Sequence, residues 1–110
     1  MELTGKCKEE FEKYLLKDLS FVLEEEFIRM DRYNLFKHLT KSMQYGVFVD
    51  YFDSVGIEVN VSKDEDGLYC LTIEYNNFIN SSTEWEETRP EARTVAIEKA
   101  NELRNEVLNK

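Results

Sequence analysis

The fold class this chain predicts is α+β: N-terminal helices, a three-stranded antiparallel sheet, and a C-terminal helix packed on one face of the sheet. Three observations predict it. Two runs with apolar residues at alternate positions, from Ile57 to Ser62 and from Leu68 to Tyr75, flank the turn sequence Asp64-Glu65-Asp66-Gly67. A strong helix start, Thr88-Arg89-Pro90-Glu91, follows and opens a stripe of alanines. A length of 110 residues with 42% hydrophobic content suits a single domain with its own core. In chain order the reading is α-α-β-β-β-α, one domain over 1–110. Residues 1–41 form a helical N-terminal extension and 42–110 an α-β-β-β-α core.

Each element has its own signal. Lys6 to Leu16 sets Cys7, Phe11, Tyr14 and Leu15 against Lys8, Glu9, Glu12 and Lys13, an amphipathic helix. Asp18 to Lys41 is mixed, and neither period fits it cleanly. From Ser42 to Gly56 two periods compete: Tyr45, Val47, Val49 and Tyr51 alternate as in a strand, whereas Met43, Val47, Tyr51 and Val55 repeat as on a helix. Ser42 as a cap and Gly56 as a left-handed residue after the end favour the helix. Such a helix is apolar nearly all round and needs cover on both sides. Ile57, Val59 and Val61 mark a half-buried first strand, and Tyr69, Leu71, Ile73 and Tyr75 one face of the second. Asn76-Asn77 and Asn80-Ser81 read as a connection, and Ser82 to Glu87 as a short third strand around Trp85. In the last helix the Thr88 hydroxyl and the Glu91 carboxylate suit a capping box. Ala92, Val95, Ala96, Ala100, Leu103 and Val107 then line one side, small enough at first for close approach to a sheet.

Charge narrows the function. The net charge of −9 argues against nucleic acid as a general partner, because phosphate is held by Lys and Arg. Residues 57–88 hold eight acids against Lys63 alone, while 89–110 hold five bases against four acids. Glu58, Glu74, Glu84 and Glu86 are all expected opposite the core-facing set, which makes the outer sheet face acidic. One reading is a solvated face that discourages edge pairing. The sharper one is a surface that docks a basic partner or imitates a nucleic-acid backbone. Arg89 and Arg93, at the exposed start of the last helix, are the basic pair beside it. These six residues are the candidate partner-binding set, with self-association through Tyr45, Phe48 and Phe52 as a second mode.

No motif carries catalysis. His38, Cys7 and Cys70 are scattered, so no metal or cofactor is expected, and a nucleophile with a base in reach is missing. Ser62 to Gly67 echoes the start of a calcium loop, but the twelfth place falls on Ile73 where a bidentate Glu is needed, and a plain hairpin turn fits better. No signal-peptide pattern and no membrane-length apolar run are present, so a cytoplasmic, non-enzymatic protein with two reduced thiols is expected.

Two resemblances add to this. SMQYGVFVDYFDSVGI together with TRPEARTVAIEKANEL, roughly residues 42–104, resembles small uncharacterised proteins of phages and mobile elements in Bacteroides-like bacteria. That resemblance implies an accessory protein and brings no activity with it. The order of helix, three strands and helix, with EARTVAIEKANEL, is similar to the double-stranded-RNA-binding domain and its alanine-spaced last helix. In that family the start of the helix carries a lysine cluster that straddles phosphates; the matching positions here hold Arg89, Pro90 and Arg93, with Glu91 among them. The family's basic loop between the first two strands is replaced by Lys63-Asp64-Glu65-Asp66-Gly67. The resemblance implies, as the alternative function, a divergent nucleic-acid-binding module using Arg89, Arg93, Lys99 and Arg104.

Overall fold

The computed structural model describes residues 2–18, 36–76, 78–81 and 86–110, and for 16–18 and 78–81 the backbone alone. Its elements are α1 (Gly5–Asp18), α2 (Lys41–Ser54), β1 (Ile57–Lys63), β2 (Tyr69–Tyr75), β3 (Phe78–Ser81) and α3 (Arg89–Leu108). Over the described residues the domain is α+β, with three helices against an antiparallel sheet.

The competition between periods over 42–56 resolves to a helix, α2. Thr40 caps it rather than Ser42: the Met43 N–H donates to the Thr40 hydroxyl at 3.2 Å. Ser42 falls inside the first turn, and its hydroxyl accepts from Arg93 instead, at 3.3 Å. Gly56 has φ +83°, the left-handed conformation that ends a helix at small cost only for glycine. Phe48, Tyr51 and Phe52 are buried, and Tyr45, Val47, Val49 and Val55 are half-buried against the same core. An all-round apolar helix is thus stable here because it is wedged between neighbours, with Met43 left in the open.

β1 and β2 pair antiparallel without a break from Ile57↔Tyr75 to Lys63↔Tyr69. The hairpin is closed by Asp64, whose carboxylate accepts the N–H groups of Asp66 (3.0 Å) and Leu68 (2.9 Å), with Gly67 at φ +82°. A carboxylate engaged in this way makes a turn. Phe78–Ser81 then pairs with β2 through Tyr75↔Phe78 to Thr72↔Ser81. Asn80-Ser81 is therefore paired chain and not the connection the sequence suggested. Of the strand expected at Ser82 to Glu87, residues 82–85 lie outside the described residues. Glu86 forms an isolated bridge with Tyr69.

Helix α3 starts as its sequence implies: the Glu91 N–H donates to the Thr88 hydroxyl at 3.3 Å, with Pro90 in the first turn. Ala92, Ala96, Ile97 and Ala100 are buried, and α3 lies across both β1 and β2. Burial of Ile57, Val59, Leu71 and Ile73 beneath the helices fixes the other sheet face as the open one. From the N-terminal side, Cys7, Phe11 and Leu15 make one buried stripe of α1, with Leu3 buried just ahead of it. Phe11, Phe36, Phe48 and Tyr51 meet with ring centroids 5.0–5.3 Å apart, mostly edge to face. Phe36, from the stretch without a clean period, is thus part of the core.

Candidate interaction surfaces

The open sheet face carries Glu58, Asn60 and Ser62 from β1 and Cys70, Thr72 and Glu74 from β2. Register sets Glu58 directly opposite Glu74. Two carboxylates across adjacent strands repel, and like charges so placed destabilise a sheet. The Asn60 amide donates to Glu58 at 3.3 Å, which softens the repulsion without neutralising it. Glu84 lies outside the described residues. Glu86 does not join this face. Its partner Tyr69 belongs to the core-facing set, cross-strand partners share a face, and Glu86 lines a groove on the helix side. The sequence reading placed Glu86 on the same face as Glu58; the bridge to Tyr69 puts it on the other. Of the four acids, the structure brings Glu58 and Glu74 together on the open face.

Arg89 and Arg93 sit at the corner where α3 begins, on the helix side. The Arg89 guanidinium lies over the Tyr69 ring at 5.2 Å and that of Arg93 over the Tyr45 ring at 4.8 Å. Lys63 also reaches the Tyr69 ring, at 5.9 Å. These are cation–π contacts that brace the helix start against β2 and α2. Burial pushes the Tyr45 hydroxyl above its ordinary range, and the neighbouring arginines act the other way. Beside Arg93 opens a groove of about 540 Å³, lined by Lys41, Arg93 and Thr94 together with Glu86, Glu91 and Glu98. Its acids outnumber its bases, so it does not make an anion site.

The densest polar constellation escaped the sequence reading. Arg104 grips Glu10 with two parallel bonds, Nε to Oε1 and Nη2 to Oε2, each 2.8 Å. The Tyr51 hydroxyl donates to the same carboxylate at 2.7 Å, and Cys7 Sγ lies 3.7 Å from that hydroxyl. Arg104 holds the Glu10 carboxyl below its ordinary range, burial pulling the other way. Burial also raises the Cys7 thiol to about 11 and pushes Tyr51 upward. A thiol protonated this firmly is a poor nucleophile. Next to it, Asn101 and Asn105 clamp the start of α1. The Thr4 N–H donates to Asn101 Oδ1 (3.0 Å), the Cys7 N–H to Asn105 Oδ1 (2.9 Å), and the Asn105 amide to the Thr4 carbonyl (3.0 Å). The asparagines supply from 97 or more residues away the capping that α1 lacks locally. The one sequence signal was their spacing of four on the last helix.

Two expected roles change as a result. Arg104, offered as a phosphate contact, is engaged by Glu10 with its side chain only 14% exposed. Phe48 and Phe52 are 1% and 0% exposed, so the dimer surface expected through them is core, and Tyr45 of that trio is half-buried under Arg93. Among the described residues no helix is long and apolar enough to cross a membrane, and no group of three or more His, Cys, Asp or Glu could hold a metal ion. Comparison with family models, with curated proteins and with solved structures finds no match.

Proposed function

We propose that the chain is a non-enzymatic accessory protein of phage or mobile-element origin that works in the cytoplasm as an acidic protein-interaction module. The observation that carries this reading is Glu58 opposite Glu74 on a sheet face that no described element covers. The pair costs the isolated fold stability, and a cationic side chain placed between the carboxylates would turn that repulsion into attraction. The same reading keeps the order α-α-β-β-β-α, with Phe78–Ser81 paired to β2 and Glu86 bridged to Tyr69.

The test is a double variant, Glu58→Gln with Glu74→Gln. Immobilised wild-type chain should retain partners from a bacterial lysate at about 0.1 M salt and release them near 1 M, where screening shortens from about 10 Å to about 3 Å. The variant should retain none of them, while unfolding at higher denaturant by about 0.2–1 kcal/mol because the repulsion is gone. Equal retention by variant and wild type, or no retention by either, refutes the reading. The nucleic-acid alternative rests on Arg89 and Arg93. It requires duplex RNA or DNA to be retarded at low salt and released by Arg89→Ala with Arg93→Ala.

A further inference from the structure

The groove between the starts of α2 and α3 has the size and the lining of a small-ligand site. Its volume of about 540 Å³ falls in the range of ligand clefts. Pro90, Thr94 and Val95 give it apolar surface from α3, and Glu86, Glu91 and Glu98 give it carboxylates. Among the described residues none of these three carboxylates has an ion pair, although Lys41 and Arg93 line the same groove. Arg93 is held against α2 instead, its Nη1 donating to the Ser42 hydroxyl at 3.3 Å and its guanidinium lying over the Tyr45 ring. The groove therefore keeps acidic groups that the chain's own cations leave unanswered.

Spacing decides which cation suits it. Glu91, Val95 and Glu98 follow one another at i, i+4 and i+7 and share one face of α3. Seven residues of helix set Glu91 and Glu98 about 10 Å apart along the axis, with Val95 between them. The three carboxylates do not converge as the ligands of one metal ion would. A compact ion would therefore answer part of the charge and leave the rest. A linear cation, with positive groups at its ends and methylenes between, matches charges this far apart. Its carbon chain would lie on Pro90 and Val95, as the methylenes of long ammonium side chains lie on apolar surface.

We propose that this groove binds a linear aliphatic polyamine along the start of α3, with its terminal ammonium groups at Glu91 and Glu98. Such amines are protonated at neutral pH, as the lysine side chain is. Glu86, half-buried ahead of the helix, supplies a third carboxylate for an inner amine. The net charge of −9 draws polycations toward the whole chain, and the groove gives them one place where charge and apolar surface are laid out in line. Because the groove is on the helix side of the sheet, the proposal does not rest on the docking face of Glu58 and Glu74.

The test is calorimetric titration of the whole chain with spermidine at about 0.1 M salt, where general attraction to the acidic surface is partly screened. A single saturable site is expected. Glu91→Gln with Glu98→Gln should weaken it about tenfold, through the loss of two charge contacts. Glu102→Gln with Glu106→Gln removes the same number of charges from exposed positions farther along α3 and should leave it nearly unchanged. All four substitutions are at exposed helix positions, and far-ultraviolet circular dichroism checks that each variant folds. Magnesium chloride at equal charge should not displace the spermidine. The proposal is overturned by the absence of saturable binding, by equal weakening in the two double variants, or by displacement with magnesium. Binding of a trilysine peptide where spermidine does not bind also overturns it and gives the groove to a protein partner.

Discussion

Arg104 carries more of this fold than its position near the end of a polar helix suggests. Its guanidinium satisfies both oxygens of Glu10, and Glu10 in turn fixes the Tyr51 hydroxyl above a ring packed in the aromatic core. Truncation by Arg104→Ala leaves a partly sheltered carboxylate without its main donor. It should cost about 1–3 kcal/mol at neutral pH, read as a lower urea midpoint. The sign of the pH dependence follows from the lowered Glu10 carboxyl. Its stabilisation is present above the ordinary value of 4.5 and is lost as pH falls through the depressed folded value. Wild type and Arg104→Ala should accordingly converge in acid, and a gap that stays constant there would remove Glu10 from the account. Glycine at position 5 has a related tightness: φ is +60°, and an added Cβ would stand 3.0 Å from Asn105 Oδ1. The left-handed turn and the nearby amide both call for the smallest residue.

At the scale of elements, the clamp between α1 and α3 is the clearest device. α1 is 14 residues long, near the length at which an isolated helix is marginal in water. Its hold comes from the stripe of Cys7, Phe11 and Leu15, from Leu3 just ahead of it, and from the two asparagines at its start. Asn105→Ala leaves the Cys7 N–H without its acceptor and should destabilise the domain by about 1–3 kcal/mol. Hydrogen exchange should locate the loss, with amides at the start of α1 unprotected before those of β1 and β2. Simultaneous loss of protection everywhere would show that α1 has no separate opening. The sheet teaches the complementary lesson. β1, the hairpin and the capped start of α3 were legible because alternation, an Asx turn and a Thr-x-x-Glu start are local rules that nothing overrides here. Glu86 was misphased because its face is set by a partner seventeen residues earlier. The pairings of Glu10 with Arg104 and of Thr4 with Asn101 and Asn105 had no local signal at all, since the partners are 94 or more residues apart.

For the whole molecule, charge and packing pull in opposite directions. The net charge of −9 strains the compact state through self-repulsion, which a sheltered pair such as Glu10 with Arg104 hardly relieves. Sodium chloride between about 0.1 and 1 M should therefore raise the thermal midpoint at a chain concentration low enough to stay monomeric. A flat or falling midpoint would mean that exposed ion pairs outweigh the repulsion. The asparagine clamp has one more consequence, and it concerns the order of synthesis. Thr4 and Asn101 are 97 positions apart, which at about 5–20 residues per second is roughly 5 to 20 seconds of translation. Until Asn101 and Asn105 have been made, the apolar stripe of α1 has no docking site on α3. α1 must therefore wait for α3, so this domain closes only after most of it has been translated.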